Sequence, residues 1–174
     1  MTQTYADLIK IVQDIVTESV RLKDEMTNQH DVQVGYVAVF CQDETEYDTF
    51  KQLAQENGWL AKDTYSGSVF IIPPIETASG RLNVLKIRNP DPTRPERGDS
   101  DFDARNFLSF KEKYLIKTGF SLIARDEFEM IEVVSPKYNV RIYFSDPPVR
   151  FHAGIREGLE KYAVELSLHG KEVE

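Results

Sequence analysis

Five arginines, Arg81, Arg88, Arg105, Arg125 and Arg141, stand in or beside runs of strand-like composition such as GRLNVLKIR and YNVRIYF. A guanidinium is a planar fork that grips a carboxylate or phosphate through two parallel hydrogen bonds, so arginines lining a cleft are natural anion anchors. Arg81 and Arg141 are the candidates for that role; the plainer reading is that these arginines cover a solvent face and pair with the chain's surplus acids. Tyr36 and Tyr143, in the runs VGYVAVF and VRIYF, are candidates to stack on or hydrogen-bond an organic ligand, because pockets combine apolar walls with a few polar anchors. At strand spacing, aromatic residues are equally ordinary core material. For proton transfer, or for a hard cation that needs only oxygen ligands, the chain offers Asp101, Asp103, Glu129 and Glu132. Strand alternation places Asp101 and Asp103 on one face and separates Glu129 from Glu132, so at most one of those two glutamates looks into a cleft. Glu132 and Asp103 are therefore the candidate catalytic carboxylates.

Composition narrows the classes. The 174 residues carry a formal net charge of −8, which argues against a phosphate-backbone binder, since nucleic-acid affinity rests on Lys and Arg neutralising phosphates. The chain is long enough to bury a core without a stapling cofactor. Its one cysteine, Cys41, excludes an internal disulfide and a CxxC site; ending the apolar run VAVFC, it reads as a buried core thiol. The sequence has no GxxxxGK[ST], GxGxxG or GxSxG, which removes the phosphate-loop, dinucleotide and esterase signatures. The N-terminus lacks a signal-type apolar core and no run approaches 18 apolar residues. The expectation is a cytoplasmic protein with no membrane or nucleic-acid partner, acting on a small molecule, as a monomer or a homodimer.

The elements that must position these residues form a repeat. Residues 4–27 space Tyr5, Leu8, Ile9, Val12, Ile15, Val16 and Val20 as an amphipathic helix. VQVGYVAVFC then reads as a strand. Asp43 can cap a following helix with Glu46 completing a box, and Gly58 is the expected left-handed stop. WLAKDTY, SVFIIPPI and RLNVLKIR read as three strands. After the proline-rich NPDPTRPERGDSD, a linker or a lid, the order recurs. DFDAR reads as a short strand, a helix runs through Phe107, Phe110, Tyr114 and Leu115 to Gly119, and FSLIAR, FEMIEVV and NVRIYF read as strands. Two curved β-α-β-β-β units, each with one helix outside, leave apolar inner faces that close by pairing and create a cleft. The expected class is α/β (α+β): a 1–30 helical extension, modules over 31–92 and 93–150 (the second including the linker), and a C-terminal helix and tail over 151–174.

This doubled order, with Y-V-A-V-F at 36–40, G-R-L-N at 80–83 and F-E-M-I-E at 128–132, resembles the vicinal oxygen chelate superfamily of glyoxalases, extradiol dioxygenases and antibiotic-binding resistance proteins, and within it the YecM-like branch. The resemblance covers roughly 33–148. It implies a divalent metal between the modules, held by residues of the first and a later strand of each. Where the branch would offer two histidines this chain has Tyr36 and Met130, a protonated phenol and a soft thioether in place of neutral imidazole. His30, His152 and His169 lie outside both modules. The expected function is binding of a small anionic organic ligand in the inter-module cleft without a transition metal or other cofactor. The alternatives are a metal-dependent lyase, isomerase or dioxygenase, and a non-catalytic protein-interaction module.

Overall fold

The computed structural model describes residues 1–168, with the side chains of 165–168 left aside; His169 and the tail lie outside the described residues. Helix α1 (Tyr5–Met26) opens on a capping box between Thr4 and Asp7, in which the Thr4 hydroxyl and the Asp7 carboxylate each satisfy a donor at the helix start. The first module is β1 (Val34–Phe40), α2 (Glu44–Asn57), β2 (Trp59–Thr64), β3 (Gly67–Thr77) and β4 (Gly80–Arg88). The second is β5 (Gly98–Phe102), α3 (Phe107–Tyr114), β6 (Phe120–Ala124), β7 (Glu129–Val133) and β8 (Val140–Asp146), followed by a 3-10 turn over 149–151 and α4 (Ile155–Leu168).

All eight strands join one curved sheet in the order β2-β3-β4-β1-β5-β8-β7-β6. Each module places its first strand parallel to its last, β1 to β4 and β5 to β8, and the modules meet where β1 and β5 run antiparallel. The two halves are therefore related by a pseudo-twofold axis through the β1/β5 seam.

Alternation along the strands sorts residues between two faces. Val37, Val39, Phe70, Ile72, Leu85, Ile87, Ile131, Ile142 and Phe144 point to the outer face. There α1 lies against β1, β5 and β8, with α2 over β2, β3 and β4 and α3 against β8. Leu8, Val12, Ile15, Val16 and Leu22 of α1 are buried in that layer. On the inner face, Val69, Ile71 and Val84 pack under Ile155, Leu159 and Tyr162 of α4. The terminal helices thus bracket the sheet from opposite sides, and α4 roofs only the first module.

Four sequence expectations are corrected. Gly58 is not a left-handed stop: its φ is −143° and its ψ −159°, because β2 begins at the next residue. A Cβ there would lie 2.5 Å from the Ile71 carbonyl oxygen, so close approach is what requires glycine. Gly119 does take a positive φ, +92°, yet it is not the helix stop either: α3 ends at Tyr114 with Leu115 as its cap, and Gly119 is the residue that leads into β6. The strand expected at 101–105 is β5 at Gly98–Phe102, all but its last residue inside the stretch assigned to the linker. GDSD has the composition of a turn, yet it pairs on both sides and every residue of β5 is buried. Glu46 accepts from the backbone N–H of Gln42, not of Asp43, at 2.7 Å and forms a two-pronged ion pair with Arg97, at 2.6 and 2.9 Å, tying α2 to the start of β5.

Candidate ligand-binding groove

Inward-facing residues on either side of the seam build the site. On β1 these are Tyr36 and Ala38; the register sets Tyr36 beside Asp101 and Ala38 beside Asp99 on β5. On the other flank Ala38 neighbours Lys86 of β4, and Phe40 neighbours Arg88. Asp99 and Asp101 in turn neighbour Arg141 and Tyr143 of β8, and Tyr143 faces Glu132 of β7. One row across the sheet thus reads Lys86, Ala38, Asp99, Arg141.

Above this row lies a cavity of about 270 Å³ bounded by Tyr36, Thr64, Tyr65, Ser66, Lys86, Arg88, Arg94, Asp99, Asp101, Ile123, Arg125, Phe128, Met130 and Tyr143. Its apolar wall is Ile123, Met130 and Phe128, the last stacked on His152 with ring centroids 4.5 Å apart. A larger depression, about 420 Å³, lies beside α2, but all its walls are α2 side chains, Asp48, Lys51, Gln52, Gln55 and Glu56. It has no strand-built floor and no convergent charge of one sign.

Charge gives the groove its character. Lys86, Arg88, Arg94 and Arg125 contribute four cationic side chains, and Asp99 and Asp101 two carboxyls. Asp101 is 2% exposed and hydrogen-bonded by the Ser145 hydroxyl; burial drives its pKa well above the ordinary carboxyl range. Asp99, 6% exposed, is pushed by burial up to about 7 against the pull of Lys86 and Arg88. Burial lowers Lys86 to about 8; its ammonium donates to the Ser66 hydroxyl at 2.6 Å. Near neutrality the cavity is net positive inside a chain of net charge −8, and low-dielectric walls concentrate that field. Two buried polar atoms here have no hydrogen-bond partner among the described residues, Asp99 Oδ1 and Arg88 Nε. Such orphans cost on the order of 1–3 kcal/mol each unless a ligand or water completes them.

The candidate residues named from sequence divide into two places. Tyr36 and Tyr143 line the groove. Behind Tyr143, Glu132 accepts its hydroxyl at 2.6 Å and one Arg141 N–H at 3.2 Å, while Arg141 also meets Glu96 at 2.9 Å. Arg141 is thus held at the rim between Glu132 and Glu96, its charge answered by these two ion pairs although its Nε and Glu96 Oε2 make no hydrogen bond among the described residues. Arg81 and Asp103 sit at the opposite end of the strands, in a separate depression shared with Gly35, Asn83 and Arg150. Arg81 pairs there with Glu76 at 3.0 Å, and Asp103 with Arg150. Glu129 points outward, to Lys111 of α3 at 2.8 Å.

Sequence reasoning did not single out Lys86, Arg94 or Asp99. Lys86 carried a readable signal: in the run RLNVLKIR it shares the strand parity of Val84 and Arg88, which sets a lysine beside an arginine on one face of an otherwise apolar strand. Asp99 was hidden by the turn-like letters around it. Arg94 comes from the segment between the modules, which is more than a tether: Arg94 donates to the Tyr143 hydroxyl at 3.1 Å.

The donor set does not suit a transition metal. Among the described residues no group of three or more His, Cys, Asp and Glu is placed to hold an ion. The inward positions of the four central strands offer two carboxyls against the cations Lys86, Arg88 and Arg141, and the thioether nearby, Met130, is a soft ligand.

No protein-family model matches the sequence, and no curated protein matches it. Among solved structures, the chain is similar to one described as "Structural Genomics, Protein EC4020", with a TM-score of 0.57, 13% identity, and coverage of 83% of this chain and 92% of that one. A weaker likeness is to a glyoxalase/bleomycin resistance protein/dioxygenase superfamily member from Vibrio splendidus 12B01, with a TM-score of 0.42, 9% identity, and coverage of 66% and 97%. The first likeness shows the fold alone, and the second carries no conclusion about the site. No described helix is long and apolar enough to cross a membrane.

Proposed function

We propose that the chain is a vicinal oxygen chelate superfamily member, nearest the YecM-like branch, that binds a small organic anion in the seam groove without a transition metal. The superfamily reading is supported by the doubled β-α-β-β-β order with the first strands joined at the seam. The binding reading rests on one observation: four cationic side chains converge on a single cavity of a strongly acidic protein, and one of them, Arg88, keeps a buried N–H without a partner. Tyr36, Tyr65 and Phe128 supply flat surfaces for the organic part of the ligand, and Tyr143 is fixed in place by Arg94 and Glu132.

Thermal-shift and calorimetric titration with short carboxylates, phosphate and sulfate test this reading, with neutral amides of the same acids as controls. At least one organic anion is expected to raise the melting temperature in a saturable way while its amide does not, and Arg88→Ala is expected to abolish the gain. Failure of every anion, or equal effects of acid and amide, would overturn it.

A further inference from the structure

Lys86 is a poor choice for a purely structural position. It stands mid-strand, 9% exposed, and among the described residues its ammonium is hydrogen-bonded only to the Ser66 hydroxyl, at 2.6 Å. Asp99 stands two strands away in the same row, with only the Ala38 methyl between them. The two attract each other electrostatically, but no direct hydrogen bond or ion pair closes the gap among the described residues, and Asp99 Oδ1 is left without a partner. Both side chains border the cavity. Two residues along β4 from Lys86, and so on the same face, Arg88 presents its unpartnered Nε–H. The Arg88 guanidinium is ion-paired with Asp91 through Nη2 at 3.4 Å and keeps its Nε–H unpaired; an amine, a facing carboxyl and such an open guanidinium donor around one small cavity are the three groups needed to capture a carbonyl compound that carries a carboxylate next to its carbonyl.

We propose that Lys86 captures the carbonyl carbon of a short 2-oxo acid as a reversible imine, with Arg88 holding the carboxylate and Asp99 moving the protons. The proposal rests on the anion-binding reading and adds a covalent step to it. The neutral amine forms a bond to the carbonyl carbon as the π pair shifts to oxygen. Protonated Asp99 gives that oxygen its proton, and the resulting carboxylate takes one from the nitrogen, leaving a carbinolamine. In the second half Asp99 protonates the hydroxyl, water departs as the nitrogen lone pair forms the C=N bond, and the nitrogen proton returns to Asp99. Amine plus carbonyl gives imine plus water; nothing is oxidised or reduced. Burial supports the assignment, because it brings Lys86 down to about 8 and Asp99 up to about 7, so a useful fraction of neutral amine and of protonated acid coexist near neutral pH.

The test is reductive trapping on the full chain. Pyruvate and sodium borohydride convert an imine into a stable secondary amine, located by intact mass and peptide mapping. The expected result is one adduct per chain, on Lys86, diminished by excess lactate, which offers the carboxylate without the carbonyl. Lys86→Arg should leave no adduct at that peptide, and Asp99→Asn should slow trapping roughly tenfold or more. Mapping of the wild type decides the matter even if a variant folds poorly. Pyruvate that stabilises the protein but gives no adduct, or adducts spread evenly over exposed lysines, would overturn the imine and leave anion binding standing. Absence of both stabilisation and adduct with pyruvate would overturn the imine; the anion-binding reading falls with it when the other carboxylates, phosphate and sulfate also fail to stabilise the protein.

Discussion

The first module and the second have the same topology and furnish their inner faces in opposite ways. In the first, β3 and β4 run 11 and 9 residues and are roofed by α4, and the uncovered end of β4 turns cations, Lys86 and Arg88, toward the seam. In the second, β5, β6 and β7 have 5 residues each, no described helix roofs the inner face, and β5 turns the carboxyls Asp99 and Asp101 toward the same seam. The groove is thus neither module's property. It exists where a cationic last strand and an acidic first strand meet across β1, whose small Ala38 leaves room between them. The outer faces differ too. α2 has 14 residues and α3 only 8, and α1 supplies the missing cover by reaching across to β5 and β8.

The comparison breaks most completely if α1 is removed. Deleting residues 1–27 uncovers the layer packed beneath Leu8, Val12, Ile15, Val16 and Leu22; at about 1.5–3 kcal/mol for each large side chain the loss rivals the total stability of a domain, about 5–15 kcal/mol. A chain that does not fold cooperatively is expected by circular dichroism, and an unchanged melting curve would show that α1 is dispensable. Next in size is Phe144→Ala. Phe144 packs on Phe110 at 4.3 Å and on Phe102 at 5.9 Å, so it is the second module's core contact between helix and sheet. Denaturant titration should show a cost of about 3–5 kcal/mol.

A third measurement addresses the charged seam. Asp99 carries a raised pKa in the fold, about 7, against about 3.9 unfolded, so the folded state holds the extra proton between those values. Stability from this group is present at low pH and is lost as pH climbs through about 7. Lys86 works the other way: lowered to about 8, it costs stability below that pH and ceases to do so as pH rises toward its unfolded value. Asp99→Asn should therefore gain stability relative to wild type as pH rises from about 4 to about 7. A pH-independent difference would mean that Asp99 ionises as freely in the fold as in the unfolded chain. A smaller effect is expected of Arg94→Ala, in which the rim loses its donor to Tyr143. Global stability should move by about 1 kcal/mol, while stabilisation by an added anion weakens several-fold. The smallest is the response to EDTA, where no change in melting temperature is expected; a fall would point to a cation held by oxygen ligands.

The doubled element order was legible because both modules repeat helix and strand signals in the same sequence, and Gly119 marks the turn into β6 by a conformation that glycine adopts without strain. Partner choice was less so: nothing in VGYVAVF says that its neighbours are β4 and β5. The groove was half legible. Tyr36 and Tyr143 are named by type and strand parity alone. Asp99 could not be, because local composition reports turn preference and the burial that overrides it is a tertiary fact. Arg81 and Arg141 look alike in sequence, each on a strand of its module, yet they lie in different surroundings, since position along a strand decides which end of the sheet a side chain serves.

α1 also constrains assembly. Modules that pair only through their first strands can exchange partners between chains, each half finding its complement in a neighbour. Here one helix, joined covalently ahead of the first module, lies across the seam onto the second. An exchanged dimer would have to re-form that three-way packing with a foreign module at the same moment as the strand pairing. The N-terminal helix is therefore a clasp: it holds the two strands that wall the groove, β1 and β5, against one another within the chain.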